Sequence, residues 1–137
     1  MGGGADTKKL ERNSRMKELM LVFIGGGSGS VVRYMLGMVV SRMVVSAFPY
    51  GTLLVNIIAC MVLGAVVAMA DERQLLHAPA RLLLTVGFCG GFSTFSTYSL
   101  ETLQLLQRGQ YAMAALYAAG SVVLCIGAIG VGAQLIK

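Results

Sequence analysis

A run of twenty residues without a charged side chain, GTLLVNIIACMVLGAVVAMA at positions 51–70, constrains this fold more than any other feature. At a helical rise of about 1.5 Å per residue, such a run crosses the roughly 30 Å hydrocarbon layer of a bilayer. Only 12% of the 137 residues are charged and 56% are hydrophobic. A small soluble core cannot hide that much apolar surface, so the sequence predicts a membrane protein.

Three further apolar segments are long enough to cross a bilayer. Residues 111–136 carry no charge, residues 19–45 contain two arginines, and residues 81–106 contain a stretch rich in small and hydroxyl side chains. Residues 71–80 and 107–110 are short polar links. The pattern predicts an all-α membrane protein with four transmembrane helices and both termini on one side.

The first fifteen residues, MGGGADTKKLERNSR, are polar and basic and have no apolar periodicity. They predict a disordered tail, or a leader added for expression, ahead of a single four-helix transmembrane domain at residues 16–137. Without the tail, four loop cations stand against two across the membrane, so orientation is weakly specified; with it the balance is eight against two, which favours cytoplasmic termini. The terminal side has Lys17, Arg73, Arg81 and Lys137, the other side has Arg42 and Arg108, and the tail adds Lys8, Lys9, Arg12 and Arg15.

Catalytic and metal-ligating patterns are missing from the sequence. Cys60, Cys89 and Cys125 lie in apolar crossings without CxxC spacing, and His77 lies in a polar link, so all four are interpreted as structural residues. There are no paired carboxylates and no Ser/His/Asp set, and GGGSGS at 25–30 lacks the lysine of a P-loop. We expect no enzyme activity. The basic residues suit membrane lipid rather than nucleic acid, since no aromatic residues interleave with them.

The stretch GFCGGFSTFSTYS, residues 87–99, combines glycines with a dense run of hydroxyl side chains. Each glycine inside a helix costs up to about 1 kcal/mol relative to alanine, and Ser and Thr bind nearby backbone groups. The stretch therefore predicts a third crossing that is broken near mid-membrane; a small-residue packing face is the alternative. Freed backbone groups need partners in hydrocarbon, so such breaks are typical of ion or substrate sites.

Neutral hydrogen-bond donors are frequent in the last three crossings, and no Lys or Arg lies in the middle of them. A neutral, donor-lined path with aromatic ring edges suits a small, strongly hydrated anion. Carbonyls freed at the break would instead suit a hard cation. The residues alone do not identify either the anion or the cation. The donors are Thr52, Asn56, Ser93, Thr94, Ser96, Thr97, Tyr98, Ser99, Tyr117 and Ser121.

Two charged residues lie where a bilayer makes charge expensive. Arg33 is deep in the first crossing, and Glu101 follows the hydroxyl-rich stretch. For Arg33 we expect a vestibule that attracts anions, or a hydrogen-bond hub, rather than direct pore lining; snorkelling to the interface is the alternative. For Glu101 we expect a partly buried position near the second half of the broken helix.

Three blocks resemble the signature blocks of the CrcB/Fluc fluoride channels: GGGSGSVVRY at 25–34, GTLLVNIIACMVLG at 51–64 and GFCGGFSTFSTYSLE at 87–101. The likeness spans about residues 16–137. It implies an antiparallel, dual-topology homodimer in a bacterial plasma or inner membrane, with two fluoride pathways and a structural sodium ion on the twofold axis. It also implies passive, selective export of fluoride from the cytoplasm, which gives fluoride resistance.

The resemblance also implies roles for individual residues. Backbone carbonyls of Gly90 and Ser93 would hold sodium, the two copies together supplying four oxygens; Thr is usual where Ser93 stands. Phe95 and Tyr98 would present ring edges to fluoride, although Phe is usual at position 98 and the tyrosine could add a hydroxyl. Asn56 would donate a hydrogen bond to the ion.

The last crossing adds a second set of pathway residues. Tyr117, Ser121 and Cys125 stand at i, i+4 and i+8 and share one helical face, where the resemblance suggests a polar track. For Cys125 simple packing is equally open. The hydroxyls of Ser96 and Thr97 complete the predicted fluoride pathway.

Two other protein classes share this size and hydropathy. A small dual-topology cation or drug exporter needs an intramembrane carboxylate, and the first crossing has Arg33 but no acid in its interior. A noncatalytic membrane scaffold needs only glycine-rich packing and would not require the amide, hydroxyl and aromatic groups to converge.

Overall fold

The computed structural model describes residues 3–71 and 74–137, and their regular secondary structure is entirely helical. Arg73, counted above among the loop cations, lies outside the described residues. The elements are α1 (Gly3–Met43), α2 (Tyr50–Asp71), α3 (Ala78–Leu82), a π-helical turn (Leu83–Cys89), α4 (Gly90–Phe92), α5 (Phe95–Gln107) and α6 (Tyr111–Gln134).

Among the residues that the structure describes, three helices are long and apolar enough to cross a membrane: Lys8–Met43 within α1, the whole of α2, and the whole of α6. The 22 residues of α2 rise roughly 33 Å, which matches the hydrocarbon layer. Many large apolar side chains point outward, as Phe23 does with 81% of its surface exposed, which suits lipid or a protein partner. The predicted all-α, multi-pass membrane architecture is confirmed.

The N-terminal segment differs from its prediction. Residues 3–15 are helical and continue directly into the apolar part of α1, where the sequence predicts a disordered tail. Lys, Leu, Glu and Arg dominate residues 8–15 and are strong helix formers, and Ser14 Oγ donates to Glu18 Oε1 at 3.2 Å. The long apolar helix that follows supplies the nucleus on which these turns extend. The domain range 16–137 stays a prediction.

The α1 helix packs side by side with the segment formed by the π-helical turn and α4. This segment and α1 run in the same direction. A Cβ atom on Gly25 would collide with the backbone of Leu83, and one on Gly29 would collide with the backbone of Phe88. The two segments therefore touch through main-chain atoms, an approach that only glycine allows.

Helices α2 and α6 form the second close pair and also run in the same direction. Near the start of both helices Leu53 packs against the cluster that contains Ala114 and Tyr117 of α6. Near their ends a Cβ atom on Gly64 would collide with the backbone of Ile129. Gly132 of α6 lies equally close to the backbone of α2. Main-chain contact thus fixes the distance between α2 and α6.

The helix that leads into the break is π-helical, with one more residue in each hydrogen-bonded turn. The N–H of Gly90 donates to the carbonyl of Thr85, five residues earlier. Thr85 Oγ1 in turn donates to the carbonyl of Arg81 at 2.8 Å, which supplies a partner to a backbone group near the start of the π-helical turn. π-Helical turns often occur at functional sites, and only the short α4 separates this one from the break.

Candidate functional site

The helix stops at Phe92 and begins again at Phe95, inside the stretch where the sequence predicts a break. Ser93 and Thr94 between them are extended, with ψ angles of 158° and 110°. Thr94 caps α5, because its Oγ1 accepts a hydrogen bond from the N–H of Thr97 at 3.3 Å. The break is therefore ordered by local side chains.

Asn56 on α2 fixes the break from the neighbouring helix. The N–H of Thr94 donates to Asn56 Oδ1 at 2.8 Å, and Asn56 Nδ2 donates to the carbonyl of Thr94 at 3.3 Å. Thr94 is 7% exposed, and the two hydrogen bonds to Asn56 satisfy its buried N–H and carbonyl groups. One hydrogen of the Asn56 amide remains for another acceptor.

The break frees the two carbonyls that the resemblance assigns to sodium. In an unbroken helix the carbonyl of Gly90 would accept from the N–H of Thr94, which donates to Asn56 instead. The carbonyl of Ser93 would accept from the N–H of Thr97, which donates to Thr94 Oγ1. Gly90 is exposed and Ser93 is half-buried. In the described part of the chain, no group of three or more His, Cys, Asp or Glu side chains could hold a metal.

A cavity of about 230 Å³ lies beside the break, between α2, α5 and α6. It brings together four residues of the predicted fluoride pathway, from three separate helices. We call it the Asn56 cavity; its lining is Asn56, Cys60, Ser93, Thr94, Phe95, Tyr98, Ser121, Val122 and Cys125.

The hydroxyl of Ser121 has no hydrogen-bond partner although it is buried. An unsatisfied buried polar group costs about 1–3 kcal/mol, so native proteins rarely keep one without a use. Ser121 lines the Asn56 cavity, and the lining contains no charged side chain. The cavity therefore offers a free O–H donor in neutral surroundings.

Two aromatic rings form one side of the Asn56 cavity. The centroids of Phe95 and Tyr98 are 5.5 Å apart, and Phe95 is 79% exposed. The Tyr98 hydroxyl donates to the carbonyl of Ala118 at 3.3 Å. Tyr98 thus uses its hydroxyl within the protein, which leaves its ring for the cavity.

Tyr117 faces a carboxylate rather than the Asn56 cavity. Its hydroxyl donates to Glu101 Oε2 at 2.8 Å, and Thr52 Oγ1 donates to Glu101 Oε1, also at 2.8 Å. Tyr117 is 1% exposed, and its ring lies 5.2 Å from that of Tyr98. Glu101 is half-buried near the middle of α5, with both oxygens held by hydroxyl donors, in a partly buried position as expected.

Ser96 and Thr97 also lie outside the lining of the Asn56 cavity. Ser96 is exposed, with its Oγ 3.4 Å from Thr94 Oγ1. Thr97 Oγ1 accepts from Thr94 Oγ1 at 2.9 Å. Both hydroxyls therefore belong to the cap of α5 in this structure.

Arg33 lines a larger cavity of about 640 Å³ together with Thr52, Thr97 and Glu101. It is half-buried and makes no hydrogen bond or ion pair with another described residue. Among the described residues Arg33 therefore does not act as a hydrogen-bond hub, and its role in a vestibule stays a prediction. We call this space the Arg33 cavity.

Two residues that organise the site, Thr94 and Ser30, are not among the residues predicted to bind an ion, although Thr94 is one of the neutral donors. Thr94 stands out only as the first residue of a T-x-x-T pattern, a weak helix-capping signal. Ser30 Oγ on α1 donates to the carbonyl of Gly91 on α4 at 3.3 Å. Nothing in the sequence around Ser30 predicts that contact, because it joins residues 61 positions apart.

A family model described as CrcB-like protein, Camphor Resistance (CrcB), matches residues 20–133. The chain belongs to the CrcB family. It is 47% identical over 111 residues to the fluoride-specific ion channel FluC of Phocaeicola vulgatus, covering 81% of this chain and 91% of that protein. Over 119 residues it is 41% identical to FluC of Nitrobacter winogradskyi, covering 87% of this chain and 94% of that protein. The FluC of Rhizobium etli is 38% identical over 122 residues, covering 89% of this chain and 98% of that protein. The part matched to CrcB contains the whole Asn56 cavity.

Proposed function

We propose that this CrcB-family chain is a fluoride-selective channel through which fluoride leaves the cytoplasm passively. The Asn56 cavity carries the proposal, because it places the unpartnered hydroxyl of Ser121 beside an amide donor and two aromatic rings in a neutral lining. Relatives at 38–47% identity bear the name fluoride-specific ion channel FluC.

The chemistry of the cavity suits an ion that gives up a strong hydration shell. The Ser121 hydroxyl and the remaining Asn56 amide hydrogen replace water as donors, and the edges of Phe95 and Tyr98 add a weaker attraction. A Lys or Arg in the lining would trap the anion, whereas neutral donors let it leave again. Selective conduction requires that balance.

The directions of the helices support four crossings. Helices α2 and α6 run in the same direction, so the chain between them returns across the membrane, and residues 78–107 form that return. The α1 helix runs parallel to the π-helical turn and α4, as the first and third of four crossings would. The break between α4 and α5 then lies near mid-membrane.

A second, inverted copy of the chain completes the site in this proposal. Phe95 at the break is 79% exposed and Gly90 is exposed, so both are open to a partner. Two copies related by a twofold axis supply four carbonyl oxygens from Gly90 and Ser93. Hard cations take oxygen ligands, so these carbonyls fit a structural sodium ion that links the copies.

The Arg33 cavity serves as the vestibule of the pathway. The Arg33 guanidinium has no carboxylate partner among the described residues, so its charge attracts anions towards Thr97 and the break. Glu101 holds Thr52 and Tyr117 in place. Because both its oxygens accept hydroxyl donors, Glu101 is poorly suited to the alternating cation and proton binding of a drug exporter.

The test is anion efflux from liposomes that contain the purified protein. Potassium fluoride or chloride is loaded, valinomycin is added to release the potassium, and an ion-selective electrode records the anion. We expect rapid fluoride release and little chloride release. Slow, equal leakage of both anions would disprove the proposal.

A matched pair of variants tests the aromatic side of the cavity. Phe95→Ile keeps apolar bulk but deletes the polarised ring edge, so fluoride efflux should fall sharply. Phe23→Ile changes an equally exposed phenylalanine, 81% against 79%, that lines neither cavity, and efflux should be unchanged. Wild-type efflux from folded Phe95→Ile would leave Phe95 a packing role only.

A further inference from the structure

Two of the three cysteines line the Asn56 cavity, one from each of its two parallel helices. Cys60 lies one turn after Asn56 on α2, and Cys125 lies one turn after Ser121 on α6. Both are half-buried free thiols that line this one cavity from neighbouring helices. The sequence predicts packing for Cys60 and leaves Cys125 open between packing and a polar track, whereas the fold brings the two together in one cavity.

The number of available ligands narrows the kind of metal that such a pair could bind. A structural zinc ion takes four ligands, and the described residues contain no group of three or more His, Cys, Asp or Glu that could hold a metal. Thiolates prefer soft ions, and some soft ions are content with two sulfur ligands. The main-chain contact of Gly64 with Ile129, one turn further along both helices, fixes the spacing of the two helices that carry the sulfurs.

The charge balance favours a divalent ion. Each thiol must lose its proton to bind a metal, and two thiolates with one divalent ion make a neutral complex. A neutral complex avoids the cost of burying a charge in a lining that contains no charged side chain. With Hg²⁺, two sulfur–mercury bonds form, two S–H bonds break, two protons leave to solvent, and no electron is transferred.

We propose that Cys60 and Cys125 form a two-sulfur site for a soft divalent metal ion, and that an occupied site closes the ion pathway. Closure follows because the sulfurs share the 230 Å³ cavity with Asn56, Phe95 and Ser121, so a bound metal takes the space of the anion. The closure depends on the proposed channel function. The binding does not depend on it.

The experiment uses the full chain, with Hg²⁺ as the probe and three alanine variants. Cys60→Ala and Cys125→Ala each remove one ligand, and Cys89→Ala is the matched control because Cys89 is buried but outside the cavity lining. Binding is measured as mercury retained per chain after gel filtration in detergent with a competing monothiol. Two sulfurs on one rigid frame hold the ion better than two independent thiols, so we expect the single-ligand variants to retain it about tenfold less.

Fluoride efflux is then recorded for each protein with and without Hg²⁺. We expect wild type and Cys89→Ala to retain one mercury per chain, to lose efflux, and to regain it on addition of dithiothreitol. Cys60→Ala and Cys125→Ala should give the same efflux with and without mercury.

Three results would count against parts of this inference. Retention of mercury by Cys60→Ala or Cys125→Ala at the wild-type level, or its loss from Cys89→Ala, would overturn the site. Retention at the predicted site with undiminished efflux would overturn the closure alone. Wild-type liposomes that release no fluoride would reject the channel function, while mercury retention would still decide the binding site.

Discussion

Replacing Ser121 by alanine should raise the stability of the fold and lower fluoride efflux. Because the two changes have opposite signs, this one substitution separates ion binding from folding. The buried Ser121 Oγ has no partner within the chain, so alanine removes a polar atom that folding leaves unsatisfied. Such an atom costs about 1–3 kcal/mol, and we expect Ser121→Ala to raise the free energy of unfolding by about 1 kcal/mol.

The same substitution removes a hydrogen bond to a charged ligand. Hydrogen bonds to charged groups contribute about 1.5–3 kcal/mol, and each 1.4 kcal/mol is a factor of about ten. We therefore expect fluoride efflux from Ser121→Ala liposomes to fall about 10- to 100-fold. Unfolding is followed by circular dichroism as SDS is titrated into mild-detergent micelles.

Ser28→Ala is the matched control for both measurements. Ser28 Oγ donates to the carbonyl of Gly25 at 2.9 Å within α1, and it lines neither cavity. This variant should lose a few tenths of a kcal/mol at most and keep wild-type efflux, since the Gly25 carbonyl lies inside α1 and keeps its place in the helical backbone hydrogen bonding. A Ser121→Ala protein that is less stable than wild type would refute the reasoning, because the hydroxyl would then have a partner inside the fold.

Three further substitutions test the frame around the cavity, each by the same unfolding titration. Gly64→Ala should cost about 1–3 kcal/mol or more from overpacking, whereas Gly27→Ala, with nothing within 4 Å, should cost nothing; equal values would contradict the main-chain contact. Tyr117→Phe should cost about 1–3 kcal/mol, because it leaves one oxygen of half-buried Glu101 without its donor, and an unchanged value would mean that water replaces the hydroxyl. Thr94→Val should cost about 1 kcal/mol by removing the cap of α5, and Thr94→Ser should keep most of that stability; no difference between them would exclude the cap.

The break and most of its surroundings could be predicted because their signals are local or carried by the family resemblance. Glycines and hydroxyls concentrated at residues 87–99 weaken a helix whatever packs against it. The resemblance placed Asn56 and Phe95 on one pathway, and the structure brings them to one cavity. Periodicity alone placed Ser121 and Cys125 on one helical face, and both line that cavity.

The two hydrogen bonds to the Glu101 carboxylate could not be predicted, because they join distant positions of the chain. Glu101 meets Thr52 across 49 residues and Tyr117 across 16. Helical periodicity places Tyr117 on the same face as Ser121, yet it cannot say that a neighbouring carboxylate takes the hydroxyl of the first and leaves the second free. That difference arises only when α5 and α6 pack together.

The helical N-terminal segment was missed for a different reason. Most residues at positions 8–15 favour a helix individually, but polar composition without apolar periodicity is also typical of a disordered tail. Attachment to a long apolar helix decides between the two, since a helix extends from an existing turn more easily than it begins. The apolar span and its polar start therefore form one continuous element.

The glycines that join α2 to α6 have a consequence for the donors of the candidate pathway. Asn56 and Ser121 stand on two helices that touch through main-chain atoms. The distance between their Cα atoms can therefore change only if whole helices move apart and lose their shared contact surface. The spacing of these two donors is thus a property of the main chain, and it would persist whichever side chains line the rest of the route.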